Sequence, residues 1–191
     1  LSSFRKQPGP ERLPVLDLTP VEKNGLGWFP EGLYVGVSTV ADAHLVGPLH
    51  PVRVIIELNC ETTYDLLVKD KADKPVLPYS KKMVIISLDP YVPEGSEPQL
   101  EETLGKLIEK GYSTFIVNNL AHINILKGKK DVHMIAGQYL YTFNKWAVSF
   151  LENQNIMAVI PPAENSESNL CETFETENER SRVLLSVFAY P

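Results

Sequence analysis

Met83-Val84-Ile85-Ile86-Ser87-Leu88 is followed, after a broken stretch, by a helical pattern over residues 99–110 and then by Thr114-Phe115-Ile116-Val117. The two flanking runs are short and apolar at nearly every position, the pattern of a strand buried on both faces rather than of one with a wet side. Between them, Leu100, Leu104, Leu107 and Ile108 recur on one helical face. Glu101 and Glu102 lie in the first turn, Lys106 and Lys110 come late, and Gly111 follows, so both helix ends carry favourable charge and a stop signal. A strand, a crossover helix and a second doubly buried strand make the repeating unit of a parallel sheet.

The alternation continues on both sides. Upstream stands Val52-Arg53-Val54-Ile55-Ile56-Glu57-Leu58, and downstream stand Val132-His133-Met134-Ile135-Ala136, Ile156-Met157-Ala158-Val159-Ile160 and Val183-Leu184-Leu185-Ser186-Val187-Phe188. Residues 119–127 read as a short helix. Thr142 is placed to cap another, on which Trp146, Phe150 and Leu151 form a stripe expected in the core. Residues 165–177 suggest a weaker helix with Leu170, Cys171 and Phe174 turned inward, whereas the charged, proline-containing stretch 69–78 is read as a connection.

About six strands fall short of the eight strands and ~250 residues of a complete barrel. An open doubly wound sheet is the alternative, but no GxGxxG or GxxxxGK[ST] phosphate loop occurs. The expected fold is therefore α/β, a partial parallel β/α barrel of TIM type over residues 51–191. Residues 1–50 are rich in proline and glycine around two extended runs, 13–18 and 33–38, and read as a small β-rich appendage or the end of an inserted domain. The uncharged run 183–188 is an exposed edge in this scheme, expected to pair with residues 33–38 or with a second copy of the chain.

The chain has 191 residues with 43% hydrophobic content, enough for one domain with a real core. A net charge of -6 repels phosphate backbones, and the Lys127, Lys129 and Lys130 cluster reads as a solvated turn. Cys60 and Cys171 belong to no CxxC or Cys/His spacing, so neither a zinc site nor an iron–sulfur cluster is expected from this chain. No run is long enough to span a bilayer, and Leu1-Ser2-Ser3-Phe4-Arg5 lacks the layout of a signal peptide. With few cysteines, a cytoplasmic location without a membrane partner is expected. With a first residue other than Met, the chain is expected to be a fragment of a longer parent.

Three segments carry a family resemblance: Val117-Asn118-Asn119-Leu120 at a strand end, Gly137-Gln138-Tyr139-Leu140-Tyr141-Thr142-Phe143-Asn144 opening a helix, and Ile160-Pro161-Pro162-Ala163-Glu164 after a further strand. Ordered over residues 82–191, they resemble the V-N-N-L-like run, the G-x-x-L-x-x-F-N turn and the S-x-E strand end of the collagenase-like peptidase family of unassigned catalytic type. Proline stands where that family usually has serine. The resemblance implies a peptidase barrel whose cysteine-bearing C-x4-G-x-C segment is expected beyond this chain, together with the iron–sulfur cluster that some relatives use to hydroxylate RNA bases or quinone precursors. The missing parts of the parent are thus expected partners.

In a barrel of parallel strands, functional side chains gather at the strand C-termini. Those positions hold Glu57, Asn59, Asp89, Asn118, Asn119, Gln138, Tyr139, Glu164 and Tyr190. Glu164, where the resemblance also implies a glutamate, is the catalytic candidate; a carboxylate there can act as base or acceptor, or simply complement a helix N-terminus. Asn118, Asn119, Gln138, Tyr139 and Asn144 are the candidate substrate-binding residues, with capping as the alternative for the asparagines. No metal ligands are proposed. His44, His50, His122 and His133 stand beside no nucleophile, and HExxH and GxSxG are absent. Two functions remain open: the substrate-binding part of a peptidase, or of an RNA-modifying hydroxylation enzyme, that is inactive alone, with a peptide or RNA as substrate; and a non-catalytic binding or scaffold module.

Overall fold

The structure, a computed structural model, describes residues 26–187. The extended run expected at 13–18, and Phe188 and Tyr190, lie outside the described residues. Six strands, β1 (Tyr34–Val37), β2 (Arg53–Glu57), β3 (Val84–Ser87), β4 (Thr114–Val117), β5 (His133–Ala136) and β6 (Ala158–Val159), form one sheet in which each pairs in parallel with the next. The spatial order follows the sequence without reversal. A doubly wound sheet reverses its order at a switch point; this one curls in a single direction into an open half-barrel.

The crossovers carry α1 (Val40–Leu45), α2 (Cys60–Tyr64), α3 (Glu97–Glu109), α4 (Leu120–Leu126) and α5 (Lys145–Glu152), with α6 (Glu167–Thr173) and α7 (Glu177–Arg180) after β6. Alternation along the strands sorts side chains between two cores. Val54, Ile56, Ile86, Phe115 and Val117 face outward into one cluster with Leu104 and Leu107 of α3 and Ile123 of α4. Ile85, Ile116, Ile135 and Ala158 face inward and pack on Phe29. Because both faces are covered, the strands read as continuous apolar runs.

The N-terminal segment fills the bottom of the concave face. Phe29 is buried, worth roughly 2 kcal/mol of apolar burial, and the Trp28 indole lies flat on the His133 imidazole with ring centres 4.6 Å apart. Arg53 secures the segment, donating from Nη2 to Trp28 O at 3.0 Å and to Gly27 O at 3.1 Å. The Tyr34 hydroxyl donates to Pro30 O at 2.7 Å. Gly32 turns the chain into β1 with φ of 146°, and a Cβ there would meet Val52 Cγ1 at 2.5 Å; glycine alone fits.

Four sequence expectations are corrected. Residues 33–38, assigned to an appendage, supply β1 of the main sheet; the glycines and prolines around them end the strand without removing it from the ladder. The run expected at 183–188 makes no full strand over its described residues 183–187: Val183 forms one parallel bridge to Val159, with Leu184 N–H donating to Val159 O at 2.9 Å, while Leu185 and Val187 are exposed. The Trp146–Phe150 stripe is exposed and only Leu151 is buried, because Val148 and Leu151 set the core face of α5 and Trp146 and Phe150 lie on its other side. Cys171 is exposed; Leu170, Thr173 and Phe174 turn toward the core, and Cys171 lies about 100° around the helix from Leu170.

A polar cluster locks the N-terminal ends of the strands. Buried Asp70 accepts from Val76 N at 3.1 Å and pairs with Lys81 Nζ at 3.1 Å. Lys81 also donates to Lys110 O at 2.8 Å, and Lys110 Nζ donates to Asp70 O at 2.6 Å. Replacing Asp70 by alanine strands the Lys81 ammonium and Val76 N–H, and is expected to destabilise the protein by about 2 kcal/mol. Urea unfolding checks this as a lower midpoint at unchanged slope.

Candidate functional site

The C-terminal half of the concave face is left open as a cleft of about 850 Å³. It is bounded by β1 on one side and by Leu184 to Val187 on the other. Strand register arranges its floor in layers. Glu57 lies opposite Ser87, Ser87 opposite Ile116, and Ile116 opposite Ile135. One layer further along the strands stand Asp89, Asn118, Gly137 and Ile160, all lining the cleft.

Asn118 is the best-defined polar group of this site. It is 8% exposed. Its Nδ2 donates to Leu88 O at 2.8 Å and its backbone N–H donates to His122 Nδ1 at 3.2 Å. With Nδ2 tied down, Oδ1 turns toward Gly137, where a Cβ would overlap Asn118 Oδ1 and lie 2.9 Å from Ile116 Cγ2. Oδ1 accepts no hydrogen bond among the described residues and Asn118 lines the cleft, so an unpaired acceptor stands at the cleft floor. A ligand N–H would find an acceptor there.

His122 supports this arrangement from α4. Burial pulls its imidazole pKa down to about 4, against the opposing pull of Asp89. It therefore stays neutral with Nδ1 as the acceptor for Asn118 N–H.

The other candidates divide clearly. Gln138 and Tyr139 line the cleft, Tyr139 being exposed. Asn119 caps α4, its Oδ1 accepting from Ala121 N at 2.9 Å and its Nδ2 donating to Pro90 O at 3.0 Å. Asn144 caps α5 by accepting from Ala147 N at 2.9 Å. Thr142, the expected cap of that helix, is instead buried two residues too early. Glu164 is exposed in the turn after β6 and is not among the residues lining the cleft. Ser87 and Leu184 to Val187 line it without having been singled out from sequence. A lone serine in an apolar run carries no sequence signal beyond its inward register.

A smaller cavity of about 170 Å³ lies on the helix side, among α5, β6 and Phe174, away from the strand ends. No group of three His, Cys, Asp or Glu side chains among the described residues could hold a metal ion. Cys60 and Cys171 are free and exposed on α2 and α6; two thiols do not supply the four-ligand set of an iron–sulfur cluster. No helix among the described residues is long and apolar enough to cross a membrane. No protein-family model, no curated protein and no solved structure matches this chain.

Two outcomes are expected. Gly137→Ala should push the Asn118 amide out of place and cost about 2 kcal/mol, an overpacking effect, and the cost should fall by at least about 1 kcal/mol in an Asn118→Ala background. A double-mutant cycle by urea unfolding measures this coupling. The second concerns pH. The folded pKa of His122 lies below its unfolded value of about 6.5, so between the two the unfolded chain binds more protons. The contribution of neutral His122 is then fully present above pH ~6.5 and lost as pH falls toward ~4, by up to about 3 kcal/mol. His122→Gln is expected to flatten that part of the stability–pH curve.

Proposed function

We propose that the concave face binds an extended peptide, as the substrate-binding part of a β/α-barrel protein of the collagenase-like peptidase type. The observation that carries this reading is Asn118, which lines the cleft with its Nδ2 bonded to Leu88 O and its Oδ1 without a hydrogen bond among the described residues, because the same residue belongs to the V-N-N-L-like run through which the chain resembles that family. In this reading two further strands between β1 and β6 complete a TIM-type barrel, and the groups that break a bond lie elsewhere in the parent. Leu33 and Leu184 supply apolar walls that an extended chain can lie against. An RNA ligand is disfavoured because the only charged side chains lining the cleft among the described residues are Glu57 and Asp89, which repel phosphates.

Amide chemical shifts of the isotope-labelled chain test the reading. A gelatin-derived octapeptide is expected to move the amides of Ser87, Asn118, Gln138 and Tyr139, and Asn118→Leu to weaken binding about ten-fold, the effect of losing one hydrogen-bond acceptor. A single-stranded RNA decamer is expected to move none of them. Shifts with RNA alone, or no shift with peptide at millimolar concentration, would overturn the proposal. Glu164→Ala is expected to leave peptide binding unchanged.

A further inference from the structure

We infer that the cleft selects a peptide bearing an arginine or lysine side chain, an inference that rests on the peptide reading above and names the chemistry it recognises. Glu57 and Asp89 sit at the ends of neighbouring strands, one side-chain layer apart, about 7 Å along the strand. Both are exposed and both line the cleft, with no Lys, Arg or His lining it among the described residues. The Glu57 carboxylate has no hydrogen bond or ion pair among the described residues, and Asp89 has only the Tyr91 N–H on its Oδ1 at 2.8 Å. The nearest structural cation along β2, Arg53, is turned to the floor, where its guanidinium is taken up by the carbonyls of Gly27, Trp28 and Val52. Nothing among the described residues therefore neutralises the pair.

A second, independent feature points to a donor-bearing ligand. Asn118 is more than nine-tenths buried, and its fixed orientation leaves an acceptor, not a donor, at the cleft. Acceptor and carboxylates together present lone pairs only. A guanidinium presents N–H donors in a planar fork and a charge of the right sign. Its aliphatic stem fits against Ile116, which lines the cleft from the inner face of the sheet.

Fluorescence anisotropy with four labelled probes tests this on the full chain. Three are one octapeptide carrying arginine, citrulline or glutamate at its centre, and the fourth is a single-stranded RNA decamer. The arginine peptide is expected to bind about five- to ten-fold tighter than its citrulline counterpart, as two partly exposed carboxylates allow. The advantage should shrink toward unity at about 0.5 M salt. Glu57→Gln combined with Asp89→Asn should abolish the preference at an unchanged melting temperature. Unlabelled agmatine, a cation without a peptide backbone, is expected to compete at least about ten-fold more weakly than the unlabelled arginine peptide, since it lacks the backbone contacts. Equal affinity for the arginine and citrulline peptides, or a preference that survives the double substitution, overturns the inference and leaves the peptide reading standing. Agmatine competing as well as the peptide would assign the site to a small amine and overturn it. Binding of RNA but of no peptide, or of no probe, overturns both.

Discussion

The inner face of a one-way curled parallel sheet has to be filled, and the rest of the structure follows from how this chain fills it. Helices can cover only the convex side. The concave side is too narrow for another helix and too apolar to leave to water. Here the segment from Leu26 to Pro30 occupies it from the N-terminal end, with Phe29 among Ile85, Ile116, Ile135 and Ala158. Trp28 is pressed on His133 and the backbone is gripped by Arg53. Burial lowers the Arg53 pKa, yet the group stays charged because an arginine starts so far above neutrality. Its donors hold carbonyl oxygens that would otherwise be poorly solvated beneath the sheet.

Where the plug ends, the cleft begins, and sequence alternation decides which side chains reach it. Around the end of β4, Val117 points out into the helix layer, Asn118 points in, and Asn119 begins α4. Two adjacent asparagines thus have different fates for a geometric reason. A cap must be the residue immediately before the first helical turn, where its side chain meets the free N–H groups. Asn59 and Asn144 are in the same position before α2 and α5. Asn118 stands one residue too early for that role, and its amide is held by Leu88 O and the presence of Gly137 with Oδ1 toward the cleft.

This division explains how far the chain could be read without coordinates. β3 and β4 were legible because Val84-Ile85-Ile86 and Phe115-Ile116-Val117 are buried on both faces, and α3 because its leucines repeat over three turns. β1 was not recognised as part of the sheet, since it is an edge strand with exposed Gly36, and turn residues surround it. α2 and the π turn through Asp65–Lys69 were missed because Thr62 and Thr63 weigh against helix, and it is the reciprocal cap between Asn59 and Thr62 that fixes the start. On α5 composition misled: Trp146 and Phe150 look like core until the orientation set by Val148 and Leu151 is known. Asn118, Gln138 and Tyr139 were recoverable by counting to the ends of strands. The exposure of Glu164 was not, because the turn at Ala163 and Glu164 depends on how the chain leaves β6.

The short strands make site and floor inseparable. A four-residue strand turns only two side chains inward, one low and one high. In β3 these are Ile85 and Ser87, and in β4 Thr114 and Ile116. Ile85 and Ile116 pack in the same inner cluster as Phe29, while Ile116 and Ser87 also line the cleft. The concave core is therefore little more than one layer thick between plug and ligand space. A deeper barrel would shield its binding face from changes at the bottom. Here displacement of Phe29 removes the support directly beneath Ile116, the residue that, with Asn118, encloses Gly137. The Asp70–Lys81–Lys110 cluster lies on the convex side of this arrangement, tying strand N-termini to the end of α3. It stabilises the outer layer without lining the cleft, so the concave face depends for its shape on the inner cluster around Phe29.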